Sequence, residues 1–130
     1  MTPRRQLSNP AIIAGRQSKA EQFANAFDLI HTFADELGDV ADACVTLAVH
    51  AGIAASDVVC CVRLGEHATG ENHREAISLL GQVDAQLAKH LATLLEMKSK
   101  AGYGHVAVTA DSLKRAQRAM DALLSGMRAI

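Results

Sequence analysis

The sequence predicts an all-α antiparallel bundle of four to five helices, and three observations carry that prediction. Hydrophobic residues make up 49% of the 130 residues and aromatic residues only 3%, a composition suited to close helix packing and poor in the residues that strands favour. Apolar residues recur at three- and four-residue steps along most of the chain, which is the period of a helix. The stretch Val45 to Leu64, VTLAVHAGIAASDVVCCVRL, is apolar nearly all round, so a helix there lacks a wet face and has to be covered by other elements. At this length one domain with a single core is expected.

Ser8-Asn9-Pro10 reads as a helix start, an N-cap side chain followed by proline at the first helical position. Ala20, Phe23, Ala24, Phe27, Ile30, Ala34 and Leu37 then follow at helical spacing and Gly38 closes the series, which predicts helix 1 over about residues 10–37. Helix 2 is predicted from Asp39 to Arg63 or Leu64, stopped by Gly65, with Gly52 among small residues that let a neighbouring backbone approach. Residues 66–71 read as a polar loop. Asn72 with Glu75 three residues on is a capping-box variant that opens helix 3, and Leu80, Leu87, Leu91 and Leu95 continue it. Gly81 followed by Asp84 marks a kink or a split, and the helix is expected to end before Gly102-Tyr103-Gly104. Thr109 as N-cap and the Val108–Leu113 staple open helix 4, which buries Leu113, Ala116, Met120, Leu123, Leu124 and Met127. Helix 2 is expected at the centre, its surface too large for three partners in one short chain, so a second subunit should cover the remainder.

Charge is sorted along the chain. Residues 1–20 carry four bases and no acid, residues 97–130 carry six bases against Asp111 and Asp121, and residues 21–96 carry twelve acids against Arg63, Arg74 and Lys89. The formal net charge of -1 therefore hides a middle at -9 between two ends at +4 each. The two basic ends either belong to separate solvated faces or meet on one side of the bundle to receive an anionic partner. The longest uncharged run, Cys44 to Ser56, is too short to cross a bilayer, and the N-terminal MTPRRQLSNP lacks an apolar signal core, so a cytoplasmic protein without membrane contact is expected. Three cysteines, two of them adjacent, make no disulfide framework and read as buried structural thiols.

On helix 2, Asp42, Thr46, His50 and Asp57 share a side, with His50 and Asp57 two turns apart, roughly 10 Å. A buried carboxylate needs a partner, which for Asp57 would be Arg63, a lysine, a helix N-terminus or a second subunit. His67 and His73, with Glu66, Glu71 and Glu75, are metal-ligand types at a spacing that matches no established pattern, so neither metal nor cofactor is expected. The run KSKAGYGH, from Lys98 through Tyr103 to His105, sets a cation at a helix end, then a glycine-broken turn, then a histidine. That order suits a phosphate-stabilising charge beside a general acid-base group, the pair needed for metal-free RNA cleavage by the 2′-hydroxyl.

LAVHAGIAASDVVCC in helix 2, NHREAISLL in helix 3 and LLEMKSKAGYGH at its end together resemble the HEPN (higher eukaryote and prokaryote nucleotide-binding) superfamily, in particular small HEPN-like proteins of actinobacteria, over most of the chain. The resemblance implies a helical module that forms a homodimer with its motifs facing across the interface, and that binds RNA, a nucleotide or a cognate partner such as a nucleotidyltransferase-like protein. The family's ribonucleases are metal-independent and use an arginine and a histidine with four to six residues between them. Here Lys98 stands in the arginine's place with six residues before His105, and no arginine is followed by a histidine at that separation. Lysine keeps the charge and loses the two-pronged grip on phosphate. The resemblance therefore implies a non-catalytic or weakly active binder, with Lys98 and His105 as the catalytic pair if cleavage occurs, and with Tyr103, Asp57, Arg63 and His50 contacting the ligand. A purely structural, antitoxin-like dimeric partner is the competing class.

Overall fold

Five α-helices and one two-stranded ribbon make up the computed structural model, which describes residues 5–69 and 72–130. The all-α bundle expected from the sequence is present. Helix α1 spans Pro10–Phe33, with the Asn9 side chain accepting from the Ile12 N–H at 2.9 Å. It ends four residues earlier than its apolar series suggests. Asp35 and Glu36 follow, and acids are unfavourable at the negative end of a helix dipole. Ala34 turns extended, and a 3-10 turn at Leu37–Asp39 reverses the chain.

Helix α2, Ala41–Leu64, runs back through the centre and stops at Gly65, whose φ of 76° is open to glycine at little cost. It packs chiefly against α1, α4 (Ala85–Tyr103) and α5 (Ala110–Arg128). Fifteen of its 24 residues are buried by this one chain. Small side chains at Ala48, Ala51, Gly52 and Ala55 let three helices of the same chain approach α2 closely. By length and composition α2 could also cross a membrane, but 67% of its most apolar window is buried inside the bundle.

Two short strands lie outside the expected helices, the second within the predicted polar loop. β1, Arg5–Leu7, pairs antiparallel with β2, Glu66–Ala68, in the register Gln6 opposite His67, and the Ser8 N–H donates to the Gly65 carbonyl at 2.8 Å. Arg5 straps this ribbon to the next helix, bridging Glu66 and Glu75 at 2.7 Å each. The predicted third helix is two: α3, His73–Gly81, capped by Asn72, and α4, whose N-cap Asp84 accepts from Gln86 and Leu87 at 2.8 and 3.1 Å. An aspartate able to cap two orphan N–H groups stabilises a new start, so the break at Gly81 becomes a split. α4 runs through Gly102 to Tyr103, beyond its expected end. α5 starts at the Thr109 cap, and Val108 and Leu113 are both buried beside it. The Asp42 carboxylate accepts from the Val108 N–H at 3.0 Å, which ties the first turn of α2 to the entry of α5.

Candidate functional site

Three side chains are both polar and buried among the described residues: Ser56, Asp57 and His67. Asp57, in the fifth turn of α2, is 9% exposed. Its Oδ2 lies 3.5 Å from Arg16 Nε on α1, and its Oδ1 lies 3.8 Å from His67 Nδ1 on β2. Both contacts are loose, and burial pushes the Asp57 carboxyl up to about 6 against the pull of His67 and Arg16. Arg63 is not its partner. Six residues along a helix is about 240° round the axis, so Arg63 faces away from Asp57 and lines a separate groove with Gln82 and Asp84.

His67 is 1% exposed, so it does not belong to a solvated loop. Its Nδ1 sits 3.2 Å from the Ala68 carbonyl oxygen, which requires the proton on that nitrogen, and Nε2 is buried with no partner among the described residues. Alternation along β2 explains the placement, since the central residue of the strand points inward while Glu66 and Ala68 point elsewhere.

Beside Asp57 opens a cleft of about 380 Å³. Its apolar wall comes from Ile53, Ala76, Leu91 and Leu95, and its polar rim from Arg16, Asn72, His73 and Lys98. The two cations come from opposite ends of the sequence, so one residue from each basic end does meet here. Arg5 and Arg128, by contrast, are spent on Glu66, Glu75 and Glu21. Each cleft cation continues the apolar stripe of its own helix: Arg16 is four residues before Ala20 and seven before Phe23, and Lys98 is three after Leu95 and seven after Leu91. A charge in that register lies at the edge of the core, with its stem along apolar surface and its head in the opening.

Of the residues singled out by sequence, Lys98 and Asp57 share this cleft. Tyr103, 84% exposed, and His105, exposed in the bend after α4, do not line it. His50 is exposed too, with its ring 5.5 Å from that of Phe23; it shares a side of α2 with Asp57, two turns away, and does not line the cleft. Sequence reasoning missed Arg16 and passed over His73 as a cleft residue. The readable signal for Arg16 was a charged residue in the core-facing register of α1. His67 and His73 separate, one beneath the surface and one on the rim, while Glu71 lies outside the described residues; no group of three metal-ligating side chains occurs among the described residues. The sequence matches no protein-family model, and no curated protein is similar to it at a significant level.

Proposed function

We propose that this chain is a HEPN-like binding module whose cleft takes a nucleotide-sized, phosphate-bearing ligand. The observation that carries the reading is the convergence of Arg16 and Lys98, from helices far apart in sequence, on one cleft beside the buried Asp57. The arginine supplies a planar fork for phosphate oxygens and the lysine a second, mobile charge, while the apolar wall accepts the face of a base. The volume suits a single nucleotide or the end of a strand more than an extended RNA. Titration calorimetry with nucleoside mono- and triphosphates tests this: saturable binding is expected, weakened about tenfold or more by Arg16→Ala and by Lys98→Ala. Absence of binding at millimolar nucleotide would reject the reading.

A second reading, metal-independent RNA cleavage, is favoured by His73, which sets an imidazole on the same rim as Lys98 and Arg16. In that case His73→Ala abolishes EDTA-resistant cleavage and His105→Ala does not, the reverse of what the spacing of Lys98 and His105 implies. The homodimer belongs to the proposal as well, supported by Leu29 and Phe33, one turn apart on α1 and 61% and 76% exposed. Light scattering that shows a monomer at tens of micromolar would remove it.

A further inference from the structure

The arginines among the described residues fall into two groups. Arg5, Arg16 and Arg128 each lie against a carboxylate, and Arg128 grips Glu21 with two nitrogens at 2.7 and 2.8 Å. Arg63, Arg74, Arg115 and Arg118 have no carboxylate within ion-pair distance among the described residues, the last two although acids stand near them in sequence. Asp111 is one turn before Arg115 and is exposed. Asp121 is one turn after Arg118 but sits beside Asp28 and Arg128, towards α1.

The Arg115 and Arg118 guanidinium groups, three residues apart and so on one face of α5, border a groove of about 160 Å³ between α4 and α5 together with His90 and Thr93, floored by the buried Ala119. Thr93 donates its hydroxyl proton to the Lys89 carbonyl at 3.1 Å, so the donors available to a ligand are the guanidinium groups and the imidazole. Glu96, one turn beyond Thr93 on α4, is exposed and in no ion pair among the described residues.

We infer that this α4–α5 groove is a phosphate-binding site, with Arg115 and Arg118 as the gripping residues and His90 as a third donor. Its size admits a phosphate group and not a nucleoside, and two forks one turn apart match the oxygens of one phosphate or of two consecutive ones. The site is independent of the cleft. Leu91, Leu95 and Lys98 face the cleft from one side of α4, whereas His90 and Thr93 face α5 from another.

The phosphate could be free, as in a polyphosphate, or part of a polynucleotide backbone, and one set of titrations separates the two. Inorganic pyrophosphate should shift the amide resonances around His90, Arg115 and Arg118 saturably. Arg115→Gln and Arg118→Gln, both at exposed positions, should each weaken it about tenfold. Arg128→Gln removes an equal charge from the same helix and should leave binding unchanged. A short oligouridylate that binds much tighter than pyrophosphate, with an affinity that falls steeply with salt, assigns the groove to a strand backbone; equal affinities assign it to free phosphate. Shifts that never saturate, or an Arg128→Gln variant weakened as much as Arg115→Gln, would overturn the inference, whatever the cleft is found to bind.

Discussion

Helices α1 and α2 have the same length, 24 residues, and opposite roles. α1 buries three residues, Ala20, Ala24 and Phe27, whereas α2 buries fifteen. α1 is a lid resting on one stripe; α2 is the post that α1, α4 and α5 surround. Length and helix propensity do not separate them, since both are long and rich in alanine. Coverage does. A helix covered on most sides can bury few polar groups, and the two that α2 buries, Ser56 and Asp57, stand side by side. That is the point at which α1 contributes Arg16 and the cleft opens.

The largest expected effect tests whether α1 hangs on a single anchor. Phe27 is fully buried and Phe33 is 76% exposed on the same helix. Phe27→Ala should cost about 3–5 kcal/mol in denaturant unfolding, and Phe33→Ala should stay within about 0.5 kcal/mol. Equal losses would break the contrast between stripe and surface.

The same substitution in the two helices should next have opposite signs. A Cβ at Gly52 in α2 would overlap Leu94 Cδ1 and come within 3.1 Å of Leu123 Cδ1, both in the core, whereas a Cβ at Gly15 in α1 meets nothing within 4 Å. Crowding a packed core costs about 1–3 kcal/mol, more than the helix propensity gained from alanine, so Gly52→Ala should destabilise by about 1 kcal/mol net. Gly15→Ala should stabilise by about 0.5–1 kcal/mol. Melting temperatures that rise for both would show that α2 is packed more loosely than its burial indicates.

A pH dependence sharpens the comparison where the two helices touch. The Asp57 carboxyl is raised from 3.8 to about 6 by burial, so across that window the folded chain holds a proton the unfolded chain has lost. Its contribution to stability is therefore present at low pH and is lost as pH rises through about 6. Asp57→Asn should flatten the dependence of melting temperature on pH between about 4 and 6, and should be at least as stable as the native chain at pH 7. An unchanged slope would mean that Arg16 and His67 already compensate the buried charge.

Patterns that a single element carries were legible in the sequence. The caps at Asn9, Asn72 and Thr109 and the stop at Gly65 were readable because cap chemistry is local, and so was the central place of α2. The β1–β2 ribbon was not, because three-residue strands are too short to show alternation and their pairing joins residues some sixty positions apart. The site was half legible. A buried acid such as Asp57 announces itself by its apolar surroundings, and Lys98 by its place near a helix end. That Arg16 would answer Asp57, rather than Arg63, depends on how α1 is rotated against α2, which a single chain of letters does not specify. For the same reason the spacing of Lys98 and His105 suggested a pair, while two more residues of helix and a bend carry His105 away from the cleft.

Cys44, Cys60 and Cys61 all lie on the post, free and buried. Burial pushes the Cys60 thiol up to about 12, and the other two also upward, so none presents a thiolate to a reagent while the bundle is closed. An alkylating probe can mark α2 only in molecules whose cover has lifted. Each labelled thiol is thus a permanent record that its molecule once opened, and the chain carries its own clock for how often the lid leaves the post.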